Sequence, residues 1–262
     1  MGSRAQREAW LHAVLHTGNP GDVAFYRRAC AGARRVLEIG CGGGRVLLAL
    51  ARAGHEVTGV ERHRGLLARL RRALRDEEPA VRARVRLVAG DAARIDLDER
   101  FERVLAPYNM LYCLLDDDAL HAVLRRAERH LAPGGRFVFD VYCPARIDPG
   151  EAARLEGLAG EPHHVVSFEA DGAFVDVFES DTWDPRRQRI DATYHYAIRR
   201  GDRVERAVQT IPQRYLYPEQ LERALEAAGL VLVERHGDFD GAPFDPDEGL
   251  FVGVAARRDE TR

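Results

Sequence analysis

The chain keeps two hydrophobic rhythms, and its organisation follows from where one gives way to the other. From residue 35 onward, short apolar runs alternate with stretches of helical period. Residues 36–39 (VLEI) read as a short buried strand. Residues 45–53 then place Val46, Leu47, Leu50 and Ala51 on one helical face, with Gly54 as a stop. A second strand follows at 55–61, then a helix through Leu66, Leu67, Leu70 and Leu74, and a third strand at 85–91. A fourth strand lies within 101–110. An amphipathic helix over 118–131 runs through Leu120, Val123, Leu124, Ala127 and Leu131, and after the turn APGG comes a fifth strand at 136–142. Between residues 163 and 217 the period changes to two, in four long runs separated by the turns DG, DPRR and GD, which predicts an antiparallel meander. Helical period returns at 218–229, with Leu221 and Leu225 inward and Gly229 as the stop, before two closing strands. Residues 1–34 are partly helical, anchored by Trp10 and Tyr26 and divided by HTGNPGD.

Strands that alternate with helices imply a parallel sheet covered on both faces. Two consecutive final strands imply an antiparallel hairpin at one edge. The predicted fold is therefore α/β: a Rossmann-like, seven-stranded, mostly parallel sheet with an antiparallel edge hairpin and an inserted antiparallel β-meander. The expected domains are an N-terminal helical cap (1–34), a Rossmann-like ligand-binding domain (35–145 and 216–262) and the inserted sheet (146–215).

Composition narrows the chemistry. The 262 residues are 45% hydrophobic and 31% charged, and 39 basic against 42 acidic residues give a net charge of −3. That balance gives no basic nucleic-acid surface; RLRRALR (69–75) reads as the solvated face of a helix. Every basic residue apart from histidine is Arg. Without Lys, neither a pyridoxal-phosphate Schiff base nor a P-loop can be built. Cys30, Cys41, Cys113 and Cys143 are scattered with no CxxC, which points to neither a metal site nor a disulfide framework. No run of 18 apolar residues and no leader-like segment is visible, so the expectation is a soluble, cytoplasmic protein without a membrane partner.

The stretch VLEIGCGGGRV carries the most specific signal. A dinucleotide fingerprint requires G-x-G-x-x-G/A, its last small residue permitting close helix–strand packing. Here the sixth position from Gly40 is Arg45, and the spacing is instead Glu38-x-Gly40-x-Gly42-x-Gly44. That pattern resembles the nucleotide-binding motif of class I S-adenosylmethionine-dependent methyltransferases. The likeness extends in order and spacing from residue 35 to 257, more loosely at the N-terminus and in the inserted sheet. It implies S-adenosylmethionine as cofactor, with Glu38, Gly40, Gly42 and Gly44 around its methionine part and ribose. A Cβ in such a turn would collide with the ligand, and glycine removes it. The resemblance also places Glu61, 21 residues after Gly40, on the two ribose hydroxyls; NAD enzymes use an acid at the same place, so Glu61 alone does not discriminate. Asp91 with the backbone amide of Ala92 would read the adenine edge, the alternative being a turn or N-cap aspartate. Arg62 departs from the family's usual apolar residue and would pack on adenine through its aliphatic stem or guanidinium face. Tyr26 is expected as a cap over the cofactor, or as simple packing.

Methyl transfer from a sulfonium is an in-line displacement, so the protein's task is alignment and exclusion of water. Candidates for the acceptor side follow the fourth strand (Tyr108, Asn109, Tyr112), the fifth (Tyr142) and the meander (Arg214, Tyr215, Tyr217); Asn109, Tyr142, Arg214 and Tyr215 are the expected site residues. In related small-molecule enzymes such an insertion forms a lid over the acceptor. His195 reads as a packed or surface histidine before a base, and Cys41 as a space-filler. The expected activity is methylation of a small-molecule amine or hydroxyl by a monomer or homodimer, with no nucleic-acid partner and no metal. The alternatives are a non-catalytic cofactor-binding partner subunit and a dinucleotide-dependent oxidoreductase, the latter disfavoured by Arg45 and the inserted sheet.

Overall fold

The computed structural model describes residues 4–144, 146, 150, 154, 160–246 and 249–260. Parts of the expected domains at 1–3, 145, 147–149, 151–153, 155–159, 247–248 and 261–262 lie outside the described residues. Two compact units are present: Met1–Leu111 with Asp116–Pro144 and Tyr217–Arg262, and Tyr112–Leu115 with Ala145–Leu216.

The larger unit opens with helices α1 (Arg4–Leu15) and α2 (Asp22–Ala29), then β1 (Arg35–Ile39), α3 (Arg45–Arg52), β2 (Glu56–Glu61), α4 (Arg64–Arg75), a short α5 (Pro79–Arg82) and β3 (Val85–Ala89). It continues with β4 (Phe101–Ala106), α6 (Asp117–His130) and β5 (Leu131–Tyr142). After the insertion come α7 (Pro218–Ala227), β10 (Leu230–His236) and β11 (Leu250–Arg257). Seven strands pair in the order β10-β11-β5-β4-β1-β2-β3. β1 is parallel to both β2 and β4, so the order reverses beside β1. β11 is antiparallel to β5 and to β10, which forms the expected edge hairpin. Central strands buried on both faces read as apolar runs, and Val36, Leu37, Ile39, Val104, Leu105, Phe137 and Phe139 are all buried. α3 buries Val46, Leu47, Leu48, Leu50 and Ala51 on the sheet.

Local details differ from the sequence reading. β5 begins at Leu131, but its register with β4 jumps from Leu131 to Arg136, so the residues APGG form an irregularity inside the strand, with Gly134 at φ 71°, rather than a turn before it. α5 begins at Pro79 and was not foreseen; proline at the first helical position supplies its start.

The smaller unit is a four-stranded antiparallel meander: β6 (His163–Ala170), β7 (Ala173–Asp184), β8 (Arg189–Arg200) and β9 (Arg203–Arg214), in that order. Its period-two alternation sorts the side chains. Val175, Val177, Ile190, Tyr196 and Ile198 share a buried face, whereas Phe174, Phe178, Val204 and Val208 are exposed on the other. His195 pairs in register with Phe178 on that exposed face and meets the Ser180 hydroxyl at 3.0 Å.

The turn from β1 into α3 sets the position of the site. Gly40, Gly42 and Gly44 have φ of 71°, 54° and 86°. A Cβ on Gly44 would also collide with a methyl of Leu70. Gly44→Ala is expected to destabilise the protein by about 2–4 kcal/mol, the sum of a left-handed alanine and an overpacked contact. Gly43, with no positive φ and open space around it, should accept alanine within about 0.5 kcal/mol. Urea unfolding midpoints of the two variants measure the difference.

Candidate active site

The carboxyl ends of β1, β2, β4 and β5 meet where strand order reverses, the place where open α/β sheets bind ligands. The β1 end carries the glycine turn. Its two outer residues are backed by protein: a Cβ on Gly40 would lie 2.7 Å from Met110 Cγ, and Gly44 faces Leu70. Between them, a Cβ on Gly42 or Gly43 would meet no atom closer than 4.0 Å. The turn is therefore packed behind and open in front, as approach of a ligand to backbone requires.

Glu61, the last residue of β2, is only 8% exposed. Its Oε2 accepts from the Gly42 amide at 2.9 Å and its Oε1 from the His63 amide at 2.6 Å. His63 caps α4, its Nδ1 accepting from the Leu66 amide at 3.2 Å. One carboxylate thus ties the glycine turn to the start of α4, and each oxygen keeps a second lone pair for a ligand hydroxyl.

Glu38, in β1, is 3% exposed, and its Oε2 is buried without a hydrogen-bond partner. Burial pushes its carboxyl up to about 8, with Arg45 pulling it down and Glu61 adding to the rise. Asp140, in β5, is wholly buried. Its Oδ1 accepts from the Tyr26 hydroxyl at 2.5 Å and from the Tyr108 amide at 2.8 Å, while Oδ2 has no partner. Burial raises its carboxyl to about 6 against the pull of those two hydrogen bonds. Asp22, at the start of α2, is also buried; its Oδ1 accepts from Arg45 at 2.6 Å and its Oδ2 from the Asn19 amide at 3.1 Å. Asp22, Glu38, Glu61 and Asp140 are all the buried carboxylates among the described residues. One guanidinium, Arg45, is paired to Asp22 and acts electrostatically on Glu38 and Asp140.

The β4 end is held in an uncommon shape. Tyr108 and Asn109 have φ of 56° and 58°. The Asn109 amide donates to the Asp140 carbonyl at 3.1 Å, and Asn109 Oδ1 accepts from the Tyr142 amide at 2.8 Å. The Tyr108 ring lies 5.6 Å from the Arg45 guanidinium carbon, and the His16 ring 6.1 Å from that of Tyr108. Burial drives His16 down to about 3, with His12 adding; burial and then His63 drive His12 down to about 4.

Of the residues singled out from sequence, the structure brings Glu38, Gly40, Gly42, Gly44, Glu61, Asn109 and Tyr142 to one end of the sheet. Tyr26 is fully enclosed behind that end, with its hydroxyl on Asp140, which is the position of a support rather than of a surface cap. Asp91 is exposed at the end of β3 and its Oδ1 accepts from the Ala93 amide at 3.0 Å, so the turn role occupies one of its oxygens. Ala92 beside it is buried and Arg62 exposed. Arg214 and Tyr215 belong to the meander unit, where the Tyr215 ring lies 6.0 Å from that of Trp183. Cys41 is buried and its thiol is raised by burial, which suits space-filling. Sequence reasoning missed Asp140 and Asp22 and saw Arg45 only as an obstacle to close packing. An acid inside the apolar run FVFDVY was the available signal for Asp140. Among the described residues, no group of His, Cys, Asp and Glu could hold a metal ion, and no helix is long and apolar enough to cross a membrane.

The buried acids give stability a pH dependence with a fixed sign. Between its ordinary 4.5 and about 8, native Glu38 holds a proton that the unfolded chain has released. Stability from this group is full below 4.5 and is lost as pH rises through 8. His12 and His16 act oppositely, costing stability only as pH falls below 6.5. Asp140 has released its proton by about pH 7. From pH 7 to 8 the ligand-free protein should therefore lose up to about 1 kcal/mol. Glu38→Gln should flatten that slope in urea titrations at the two pH values, and an unchanged slope would assign the proton elsewhere.

Comparison with known proteins bears on this geometry. Residues 36–135 match the family described as "Methyltransferase domain". The CcbJ methyltransferase from Streptomyces caelestis is 32% identical, with 92% of this chain and 90% of that one covered at a TM-score of 0.72. The S-adenosylmethionine-bound structure of CalS10, an amino pentose methyltransferase from Micromonospora echinaspora, is 25% identical, covering 95% of this chain and 96% of that one at a TM-score of 0.67. A cypemycin N-terminal methyltransferase from a Streptomyces species is 34% identical over 126 residues, 48% of this chain and 47% of the relative; the chain spans about half the length of the curated relatives it matches. The glycine turn with its flanking acids, the switch-point sheet and these likenesses together place the chain in the class I S-adenosylmethionine-dependent methyltransferases.

Proposed function

We propose that the protein transfers a methyl group from S-adenosylmethionine to a small-molecule amine or hydroxyl. The observation that carries this reading is the placing of three buried carboxylates, Glu38, Glu61 and Asp140, on the strands around the glycine turn, with Arg45 paired to the fourth, Asp22 of α2. Buried charge of one sign calls for an opposite charge. A sulfonium supplies it; the pyrophosphate of a dinucleotide, which helix N-termini otherwise favour, would meet acids. The front of the glycine turn fits such a ligand because no Cβ obstructs it. When bound, the cofactor supplies a methyl group already attached to a good leaving group.

The protein's own residues then bind, orient and exclude water. In this reading Glu61 takes the two ribose hydroxyls, Gly40, Gly42 and Gly44 border the methionine part, and Asp91 with Ala92 and the stem of Arg62 receive adenine. Glu38 balances the positive charge from behind, and Tyr26 braces Asp140. Asn109 and Tyr142 border the acceptor from the sheet. An acceptor that arrives protonated needs a base, whereas a neutral amine needs alignment alone. The amino pentose methyltransferase and the N-terminal methyltransferase among the relatives support an amine acceptor. Four free cysteines fit a reducing, cytoplasmic setting, and a monomer or homodimer is the proposed working state.

Two outcomes test the reading. S-adenosylhomocysteine should raise the melting temperature while NADH leaves it unchanged, and the reverse result would defeat it. Glu61→Ala should weaken S-adenosylhomocysteine binding by about 1.5–3 kcal/mol, the worth of hydrogen bonds to a charged group; calorimetry showing equal affinity would remove Glu61 from the ribose role.

A further inference from the structure

We propose that Asp140 is the positioning residue of the methyl-transfer site, holding the left-handed Tyr108–Asn109 turn against the glycine turn while Tyr26 holds Asp140 in place. The inference rests on the proposed methyltransferase reading for its purpose, and on geometry alone for its mechanics.

Asp140 lies inside the apolar run of β5, where a valine would pack without desolvating a charge. Two hydrogen bonds to its side chain do what a valine could not: Oδ1 takes the Tyr108 amide at 2.8 Å and the Tyr26 hydroxyl at 2.5 Å. The backbone of the same residue adds a third tie, its carbonyl taking the Asn109 amide at 3.1 Å, and the Asn109 side chain accepts from the Tyr142 amide at 2.8 Å. Two consecutive non-glycine residues with φ of 56° and 58° are unfavourable by themselves and persist only where their surroundings over-determine them. Asp140 provides that determination on one side of the turn. The far side of the turn leads directly to Met110, whose amide donates to the Pro107 carbonyl at 3.3 Å and whose side chain fills the space a Gly40 Cβ would need. Contact therefore runs from Tyr26 through Asp140 and the strained turn to Met110 and the glycine turn. Releasing the strained turn would loosen the wall against which Gly40 is set. Asp140 acts here through its neighbours; its role requires no contact with the acceptor.

Three variants and two readouts decide the matter, with S-adenosylhomocysteine as the probe. Asp140→Asn keeps an oxygen for Tyr108 and Tyr26, and its affinity should stay within about threefold of wild type. Asp140→Ala should lose about tenfold or more as the two left-handed residues relax. Amide hydrogen exchange at Tyr108 and Asn109 should quicken in the alanine variant and stay slow in the asparagine variant. Tyr26→Phe preserves the packed ring, removes one donor to Asp140, and should weaken binding about threefold with faster exchange at Tyr108. Wild-type affinity and exchange in Asp140→Ala would overturn the proposal. So would weakened binding with unchanged exchange, because Asp140 would then touch the ligand directly. If Asp140→Ala does not fold, Tyr26→Phe decides alone, and unchanged exchange at Tyr108 would overturn the proposal. Failure of the wild-type protein to bind S-adenosylhomocysteine would defeat the methyltransferase reading instead, and the exchange comparison would still judge the mechanical claim.

Discussion

The chain leaving β1 must turn away from the sheet, keep its ligand side free of Cβ atoms, and enter α3 within five residues. That constraint explains most of what surrounds it. Gly40, Gly42 and Gly44 take left-handed φ values that other residues adopt only at a cost. Gly40 and Gly44 are also crowded from behind by Met110 and Leu70, so the turn is clamped on one side and open on the other. Glu61 completes the clamp by accepting the Gly42 amide. Such a turn has little freedom of its own, and its exactness comes from neighbours on β2, α4 and the β4 turn.

Charge is the second constraint. Four carboxylates are withdrawn from water near a sheet end that offers one guanidinium. Burial lifts Glu38 to about 8 and Asp140 to about 6, so near pH 7 the ligand-free site holds a proton on Glu38 that a cation could displace. The arrangement spends folding stability on an electrostatic preference. It also explains why Arg45, awkward for a tight dinucleotide helix, suits this site: it pairs with Asp22, lies near the Tyr108 ring and moderates both buried acids.

Much of the architecture was legible in the sequence because it rests on local rules. Period two predicted the four strands of the meander, and Leu221 and Leu225 were assigned inward from helical spacing and are buried. The motif from Glu38 to Gly44, with Glu61 at the end of the next strand, pointed to the sheet end proposed as the site. What sequence could not supply were relations between distant residues. Tyr26 reaches Asp140 across 114 positions, and no pattern in either segment announces that bond. The left-handed pair Tyr108–Asn109 was equally hidden: neither is glycine, and the cause of its shape lies on β5. Asp91 shows a subtler limit, since one carboxylate can both shape a turn and face a ligand.

The central claim is that a cationic nucleoside ligand lies in front of the glycine turn with its ribose on Glu61. A crystal structure of the protein with S-adenosylhomocysteine tests it most directly. The account predicts both ribose hydroxyls on the Glu61 carboxylate, the methionine part over Gly42 and Gly43, and an unmoved Tyr108–Asn109 turn. Ligand density away from the ends of β1 and β2, or ribose hydroxyls bound by groups other than Glu61, would contradict it.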